Sequence, residues 1–292
     1  MSGASGKPSS SATYRALVRK KRIEKGLPVS PTPSELERDN IVEDNADILS
    51  NVFGRMITLH PGNIIKKSGR GVCLGEADAM KAAAAGGVPV PEVFGTETTP
   101  EGRFRISMSY IEGQTLSEVW LDLSDDERKG YCRQIRAILN TMRAIPPLGF
   151  IGACDGKEIR DARNYHTYKA PICADENAFN EYLLSAIHTK ATPPGVRTAF
   201  AQRLQKQPAH RIILTHGDLA PRNIMVRGGK IVALIDWEDA GWYPEYWEYV
   251  KFFQRIRSNK EEGWATYADD IFENTYPDEL VDYIAISRYQ NP

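Results

Sequence analysis

The run Thr215-His216-Gly217-Asp218-Leu219-Ala220-Pro221-Arg222-Asn223, answered further on by Asp236, constrains this chain more than any other feature. Arg211 to Thr215 reads as a short apolar strand, so Asp218 falls in a loop just past a strand end. Asn223 lies five residues on, where the loop re-enters a strand at Ile224-Met225-Val226. Gly228-Gly229 signals a hairpin into Ile231–Ile235. The returning strand brings Asp236 back beside Asn223. Two carboxylates and one carboxamide are thereby gathered at one edge. An oxygen-only set of this kind suits Mg²⁺, which keeps several waters and takes one or two protein carboxylates plus substrate phosphates. Asp218 is left to accept a hydroxyl proton. The alternative makes Asp218 a turn residue and Asp236 a strand-end cap.

Around this stretch the periodicity changes twice. From about 41 to 112 the pattern is one of short strands. Val52–Ile57, a turn at Pro61-Gly62 and Asn63–Lys66 read as a hairpin. Glu76–Ala85 is nearly all strong helix formers and is stopped by Gly86-Gly87. Val90–Gly95 and Phe104–Ile111 are two further strands. Past Gly113 the chain becomes mainly helical. Ser124 and Glu127 form a capping box for a helix with Tyr131, Ile135, Ile138, Leu139 and Met142 on its apolar face. Phe179, Leu183 and Ile187 make a second helical stripe. The aromatic run Trp237, Trp242, Tyr243, Tyr246, Trp247 and Tyr249 reads as core beneath the loop, with a stacking surface as the rival.

The spacing His-x-Asp-x-x-x-x-Asn, with an Asp thirteen residues after the Asn, matches the catalytic loop and magnesium Asp of kinases. The sequence resembles the aminoglycoside phosphotransferase and choline kinase-like branch of the protein-kinase-like fold, and within it the fungal kinase-like proteins. The resemblance is carried by Thr215–Ile224, Ile235–Glu248, Met108–Leu116 and Glu76–Met80, and spans roughly 50–258. It implies an α+β, two-lobed protein-kinase-like fold: a small antiparallel-sheet N-lobe with one helix (41–112) and a larger, mainly helical C-lobe (113–292), preceded by a flexible basic tail (1–40).

The resemblance also implies roles. Asp218 looks like the base or positioner for an acceptor hydroxyl. Asn223 and Asp236 look like Mg²⁺ ligands. Lys66 looks like the strand lysine that holds the α- and β-phosphates of ATP, with Glu76 as its partner. Tyr110 and Ile111 would offer backbone groups to adenine. Strand alternation lets only one of Lys66 and Lys67 point inward, and the family register favours Lys66. His216 is expected to hold the loop rather than to act as a base. Glu238 and Glu248 are read as orienting Asp236 or Arg222, or as solvated. Arg160, Asp161, Arg163 and Asn164 fall where the family builds its acceptor pocket, with a solvated loop as the rival. The implied activity is ATP- and Mg²⁺-dependent phosphoryl transfer to a hydroxyl of a small molecule. A non-catalytic pseudokinase acting as a binding module is the alternative. A protein kinase is disfavoured by Ala220, where a lysine is common, and by the missing Ala-Pro-Glu segment. Protein-type kinases cover the phosphates with G-x-G-x-x-G; Asn51–Met56 here has one glycine.

Composition excludes other classes. Of 292 residues, 41% are hydrophobic and 26% charged, which argues against wholesale disorder. No apolar run approaches the ~18 residues of a membrane span. The net charge of −1 gives no global basic footprint for specific nucleic-acid binding. Residues 1–30 alone carry +6, through Lys7, Arg15, Arg19-Lys20-Lys21-Arg22 and Lys25 against Glu24. That tail would give only salt-steep, non-specific binding. Four cysteines without a C-x-x-C pair suit a reduced compartment. A soluble, intracellular protein is expected, cytoplasmic unless the basic tail is a nuclear or mitochondrial address.

Overall fold

The computed structural model describes residues 45–52, 54–69, 71–99, 102–163, 167–187, 192–254 and 263–290. The basic tail, Asn164, His166 and His188 lie outside these.

Val52 faces Arg55 across a tight turn that contains Gly54 at φ 74°. The expected strand Val52–Ile57 is therefore divided between two, β1 (Asp47–Val52) and β2 (Arg55–His60). Glycine supplies the positive φ that reverses the chain there. A second turn, with Gly62 and Asn63 both at positive φ, leads into β3 (Ile64–Gly69). The alanine-rich segment forms α1 (Gly75–Ala85), which buries Ala77, Ala79, Met80 and Ala83 together with Glu76. The next strand, β4 (Val93–Thr98), starts later than the sequence pattern suggests. Pro89 and Pro91 have no amide to give a ladder, so pairing begins beyond them. With β5 (Phe104–Ser109) the sheet has the order β1-β2-β3-β5-β4, every pair antiparallel.

The chain leaves this sheet through β6 (Gln114–Thr115) and α2 (Leu116–Val119). The long helix α3 (Asp125–Ala144) begins at the expected capping box: Glu127 Oε2 accepts from the Ser124 amide at 2.8 Å. Tyr131, Ile135, Leu139 and Met142 are buried, as the helical stripe requires. There follow β7 (Gly152–Ala153), the hairpin β8 (Ile159–Ala162) and β9 (Thr167–Ala170), α4 (Glu176–Ser185) and α5 (Pro194–Leu204). Next comes β10 (Ile212–Thr215), then the glycine hairpin of β11 (Ile224–Arg227) and β12 (Lys230–Leu234), and β13 (Gly241–Pro244). Helices α6 (Trp247–Gln254), α7 (Ala268–Ile271) and α8 (Pro277–Arg288) complete the second lobe.

Short sheets β10-β13-β7 and β12-β11-β6 carry the two ends of the motif. One hydrophobic core runs from Ala77 and Met80 on α1 through Trp120, Ile135 and Leu139 to Leu234, Trp237 and Trp242. Each large side chain in it contributes about 1.5–3 kcal/mol of burial. The core thus sets α1 against the residues that follow β12. The aromatic run is buried too: Trp237, Trp242 and Tyr249 lie in this core, and Tyr243, Tyr246 and Trp247 in a second one with Phe179 and Leu183. No helix among the described residues is long and apolar enough to cross a membrane.

Candidate active site

Asp218 lies in the loop after β10 and is almost wholly buried. Its Oδ1 accepts from Arg222 Nη2 at 2.7 Å and its Oδ2 from Asn223 Nδ2 at 3.1 Å. Asn223 Nδ2 also donates to the Asp218 carbonyl at 2.9 Å. The amide nitrogen of Asn223 is therefore spent on the loop, and its side-chain oxygen is the atom left for a cation. The glycine hairpin returns as expected: the Ile235 amide donates to the Asn223 carbonyl at 2.9 Å. That single bond puts Asp236 next to Asn223. Asp236 itself is left-handed, at φ 63° and ψ 60°, a conformation Asp tolerates better than most residues but still at a cost. Such strain is held only where surrounding contacts insist on it, and it concentrates at functional sites.

The loop is held from beneath. His216 is fully buried. It accepts the Asp218 amide on Nδ1 at 3.2 Å, so its Nε2 carries the proton and donates to the Ile235 carbonyl at 3.1 Å. With both nitrogens committed and its ring edge-on to Trp237 at 4.7 Å, His216 ties the two halves of the motif together. Glu248, on α6, accepts the amides of His216 at 2.6 Å and Gly217 at 3.2 Å. Burial pushes the Glu248 carboxyl up to about 7, against those two amide bonds. Gly217 is at φ 79°, and a Cβ there would lie 2.6 Å from the Asp239 carbonyl. The loop and the segment after Asp236 therefore meet backbone to backbone.

The sheet lobe supplies the cation, and here the structure corrects the sequence. Lys67, not Lys66, points inward. On β3 it is in register with Ile57 on β2 and Ile106 on β5, so it shares their face of the pleat. Its Nζ lies 2.9 Å from Glu76 Oε1 and 2.7 Å from Asp236 Oδ1. Lys66 sits on the opposite face, in register with Thr58 and Ser107. The expected pairing with Glu76 is real but belongs to the neighbouring lysine. One ammonium thus serves two carboxylates. Burial disfavours its charge, but Glu76 and then Asp236 outweigh that and raise it above the usual lysine range. Burial likewise pushes Glu76 up to about 7, with Lys67 only partly opposing. Asp236 goes the other way: its side chain is only partly enclosed, and Lys67 and then Arg55 hold its carboxyl below the usual range.

Sequence reasoning missed Arg55 outright. Its guanidinium pairs with Glu238 across 183 residues, joining β2 to the segment after Asp236. Nothing local in the sequence signals a contact at that separation. Arg55, Lys67, Glu76, Asn223 and Asp236 line a cleft of about 580 Å³. Its apolar walls include Ile57, Ile65 and Met108 from the sheet and Met225 and Ile235 from the hairpin, with Tyr110 and Ile111 at the connection. The Tyr110 amide donates to the Asn63 carbonyl at 2.8 Å. Of the two expected backbone contacts, that of Tyr110 therefore cannot use its N–H. A larger hollow of about 710 Å³, among Arg143, Pro147, Glu176 and His210, contains none of the motif residues.

The Arg160–Arg163 segment is neither a solvated loop nor an open pocket wall. Asp161 is wholly buried. Its Oδ1 accepts Lys251 Nζ at 2.9 Å and Tyr283 OH at 2.7 Å, and its Oδ2 accepts Arg163 Nε at 3.0 Å. Among the described residues no group of three or more His, Cys, Asp or Glu is arranged to hold a metal. An Asp and an Asn side chain, completed by water and phosphate oxygens, remain a fitting donor set for Mg²⁺.

A family model described as the phosphotransferase enzyme family matches residues 64–280. The chain belongs to this family. A search of curated proteins finds no match. Among solved structures, a thermostable mutant of aminoglycoside phosphotransferase APH(4)-Ia, in ternary complex with ADP and hygromycin B, is similar with a TM-score of 0.57 at 15% identity, over 88% of each chain. The same enzyme with AMP-PNP and hygromycin B gives 0.58 at 17% identity, over 92% of this chain and 88% of that one. An aminoglycoside phosphotransferase of the APH(2″) group, in complex with GDP and kanamycin, gives 0.52 at 15%, over 85% and 84%. These likenesses establish a kinase-like α+β fold for the phosphotransferase.

Proposed function

We propose that this phosphotransferase moves the γ-phosphoryl group of ATP, with Mg²⁺, to a hydroxyl of a small molecule. The observation that supports this best is the convergence of Lys67, Glu76, Asp236 and Asn223 on one cleft, with Asp218 on the adjoining loop. The adenine would lie between the sheet and hairpin walls of the cleft, against the Tyr110–Ile111 connection. Lys67 would turn from Asp236 towards the α- and β-phosphates while Glu76 keeps hold of it. Asn223 Oδ1 and the Asp236 carboxylate would hold Mg²⁺, which would supply positive charge to offset that of the phosphates. Asp218, kept in place by Arg222 and Asn223, would orient the acceptor hydroxyl and take its proton as the oxygen attacks phosphorus and the bond to ADP breaks. Catalysis of this kind is mostly positioning and charge neutralisation. The neighbours that bind hygromycin B or kanamycin accept hydroxyl-bearing small molecules, in keeping with an acceptor of that size.

A thermal-shift titration with ATP, with and without Mg²⁺, tests the reading. At ligand about 100 times Kd the native state gains ~2.7 kcal/mol. The wild-type shift should depend on magnesium and vanish in Asp236→Asn. Asp218→Asn should keep the shift and lose transfer by ~10²–10⁴-fold. No shift at millimolar ATP in the wild type would discard the nucleotide site in favour of a non-catalytic binding module.

A further inference from the structure

Where kinases of the protein type cradle phosphates with glycine backbone, the β1–β2 turn here has Gly54 alone. The residue after it is Arg55, whose side chain lines the cleft. The turn is pressed onto β3: a Cβ on Gly69 would lie 2.0 Å from the Gly54 carbonyl. The arginine stem then runs alongside Gly71, where a Cβ would come within 3.1 Å of Arg55 Cγ. The missing side chains of Gly69 and Gly71 thus leave room for the turn and the arginine stem to lie close against this part of the sheet lobe. Burial works against the guanidinium charge, yet Glu238, and behind it Asp236 and Glu76, hold it more firmly protonated than an ordinary arginine. Arg55 therefore sits in the field of the same carboxylates as Lys67. Its pairing with Glu238 is not sealed, because the Arg55 side chain keeps 30% of its exposure.

We propose that Arg55 is a phosphate ligand of the nucleotide, and that Glu238 is the carboxylate that holds it until the phosphates arrive. This rests on the nucleotide-binding reading above. A triphosphate brings several anionic oxygens into a cleft that otherwise meets them with Lys67. A guanidinium fork matches phosphate oxygens in two parallel hydrogen bonds, which a carboxylate with one charge does not outbid. One side chain thereby performs the task that a glycine-rich loop performs with amides. The rival is a simple strut between the lobes, in which Arg55 and Glu238 act as one unit and never part.

Calorimetric titration with adenosine, ADP and ATP, in the presence of Mg²⁺, separates the two. Arg55→Ala should weaken ADP and ATP by about tenfold or more, the lower end of what a hydrogen bond to a charged group is worth. Adenosine, which has no phosphate, should bind as before. Glu238→Gln should move ADP the opposite way, to tighter binding, because it frees Arg55 from its competitor. Equal weakening of all three ligands by Arg55→Ala would overturn the proposal and leave a strut. So would weakening of ADP by both substitutions alike. If the wild type bound none of the three, the nucleotide reading itself would fall, and this one with it.

Discussion

Two buried ionic clusters, one in the cleft and one under the β8–β9 hairpin, look alike in composition and differ in design. In the cleft, Lys67 is shared by Glu76 and Asp236: one cation for two carboxylates. Under the hairpin, Asp161 is shared by Lys251 and Arg163: one carboxylate for two cations. The second cluster is closed. Lys251 is 1% exposed, and it also reaches the Ala162 carbonyl and, at 2.6 Å, Gln254 Oε1. The first cluster is open, with the Asp236 side chain 37% exposed and its backbone in a costly conformation. A closed cluster has nothing to exchange and fixes how α6, α8 and the hairpin meet. An open one, short of positive charge, leaves room for the magnesium ion and the phosphates of the proposed reaction.

The sharpest way to break this contrast is Asp161→Asn. It strands two buried cations, and removing one side of a buried ion pair costs about 3–5 kcal/mol. Chemical denaturation should show that loss, while the folded fraction binds ADP with unchanged affinity. An altered Kd would mean that the hairpin cluster belongs to the site after all. Next in size is Lys67→Met against Lys66→Met. The first should weaken ADP by about tenfold or more, as loss of a charge-assisted hydrogen bond does; the second should leave it unchanged. If Lys66→Met were the damaging one, the inward face of β3 would be wrongly assigned.

The smallest effect is in pH dependence, and carboxyls raised by burial differ in sign from those lowered by a cation. Glu76 and Glu248 titrate near 7 in the fold and near 4.5 in the unfolded chain. Between those values the unfolded chain binds fewer protons, so their ionisation lowers stability as pH rises from about 4.5 to 7 and adds nothing further above it. Asp161 is held below the usual range, since Lys251 and Arg163 overcome its burial. Its contribution is complete above an ordinary aspartate pKa of about 3.9 and disappears as pH falls through the lower folded value. Unfolding free energies across pH 3–8 should therefore decline on the alkaline side of 4.5. Glu248→Gln should flatten that decline, and an unchanged slope would contradict a buried, hard-to-ionise Glu248.

What was legible in the sequence was local. The loop from Thr215 to Asn223, the Gly228-Gly229 hairpin and the return of Asp236 are fixed by short spacings and turn chemistry, and the fold places them as read. The Ser124–Glu127 cap and the Glu76–Ala85 helix have the same character. The choice between Lys66 and Lys67 was not legible, because alternation fixes a period of two but not its phase. Phase depends on which face of the sheet meets the core, a tertiary property that the strand's own residues do not record. Nor was the fate of Arg160–Arg163 legible. Asp161 is neutralised from Lys251, 90 residues away, so its burial has no local mark. Arg55 and Glu238 pose the same difficulty at twice that separation.

All five tryptophans of the chain lie in its interior: Trp120, Trp237, Trp242, Trp247 and Trp264 are each no more than 1% exposed. Intrinsic emission is therefore a property of the core, blue-shifted in the native protein and moving to the red only as that core opens. One of the five is placed differently in chemical terms. Trp237 follows Asp236 directly, donates its indole N–H to the Leu234 carbonyl at 2.9 Å and stands edge-on to His216. Charge arriving at Asp236 acts on that indole through one peptide unit. The fold thus carries its own optical probe, already installed beside the carboxylate on which the proposed chemistry depends.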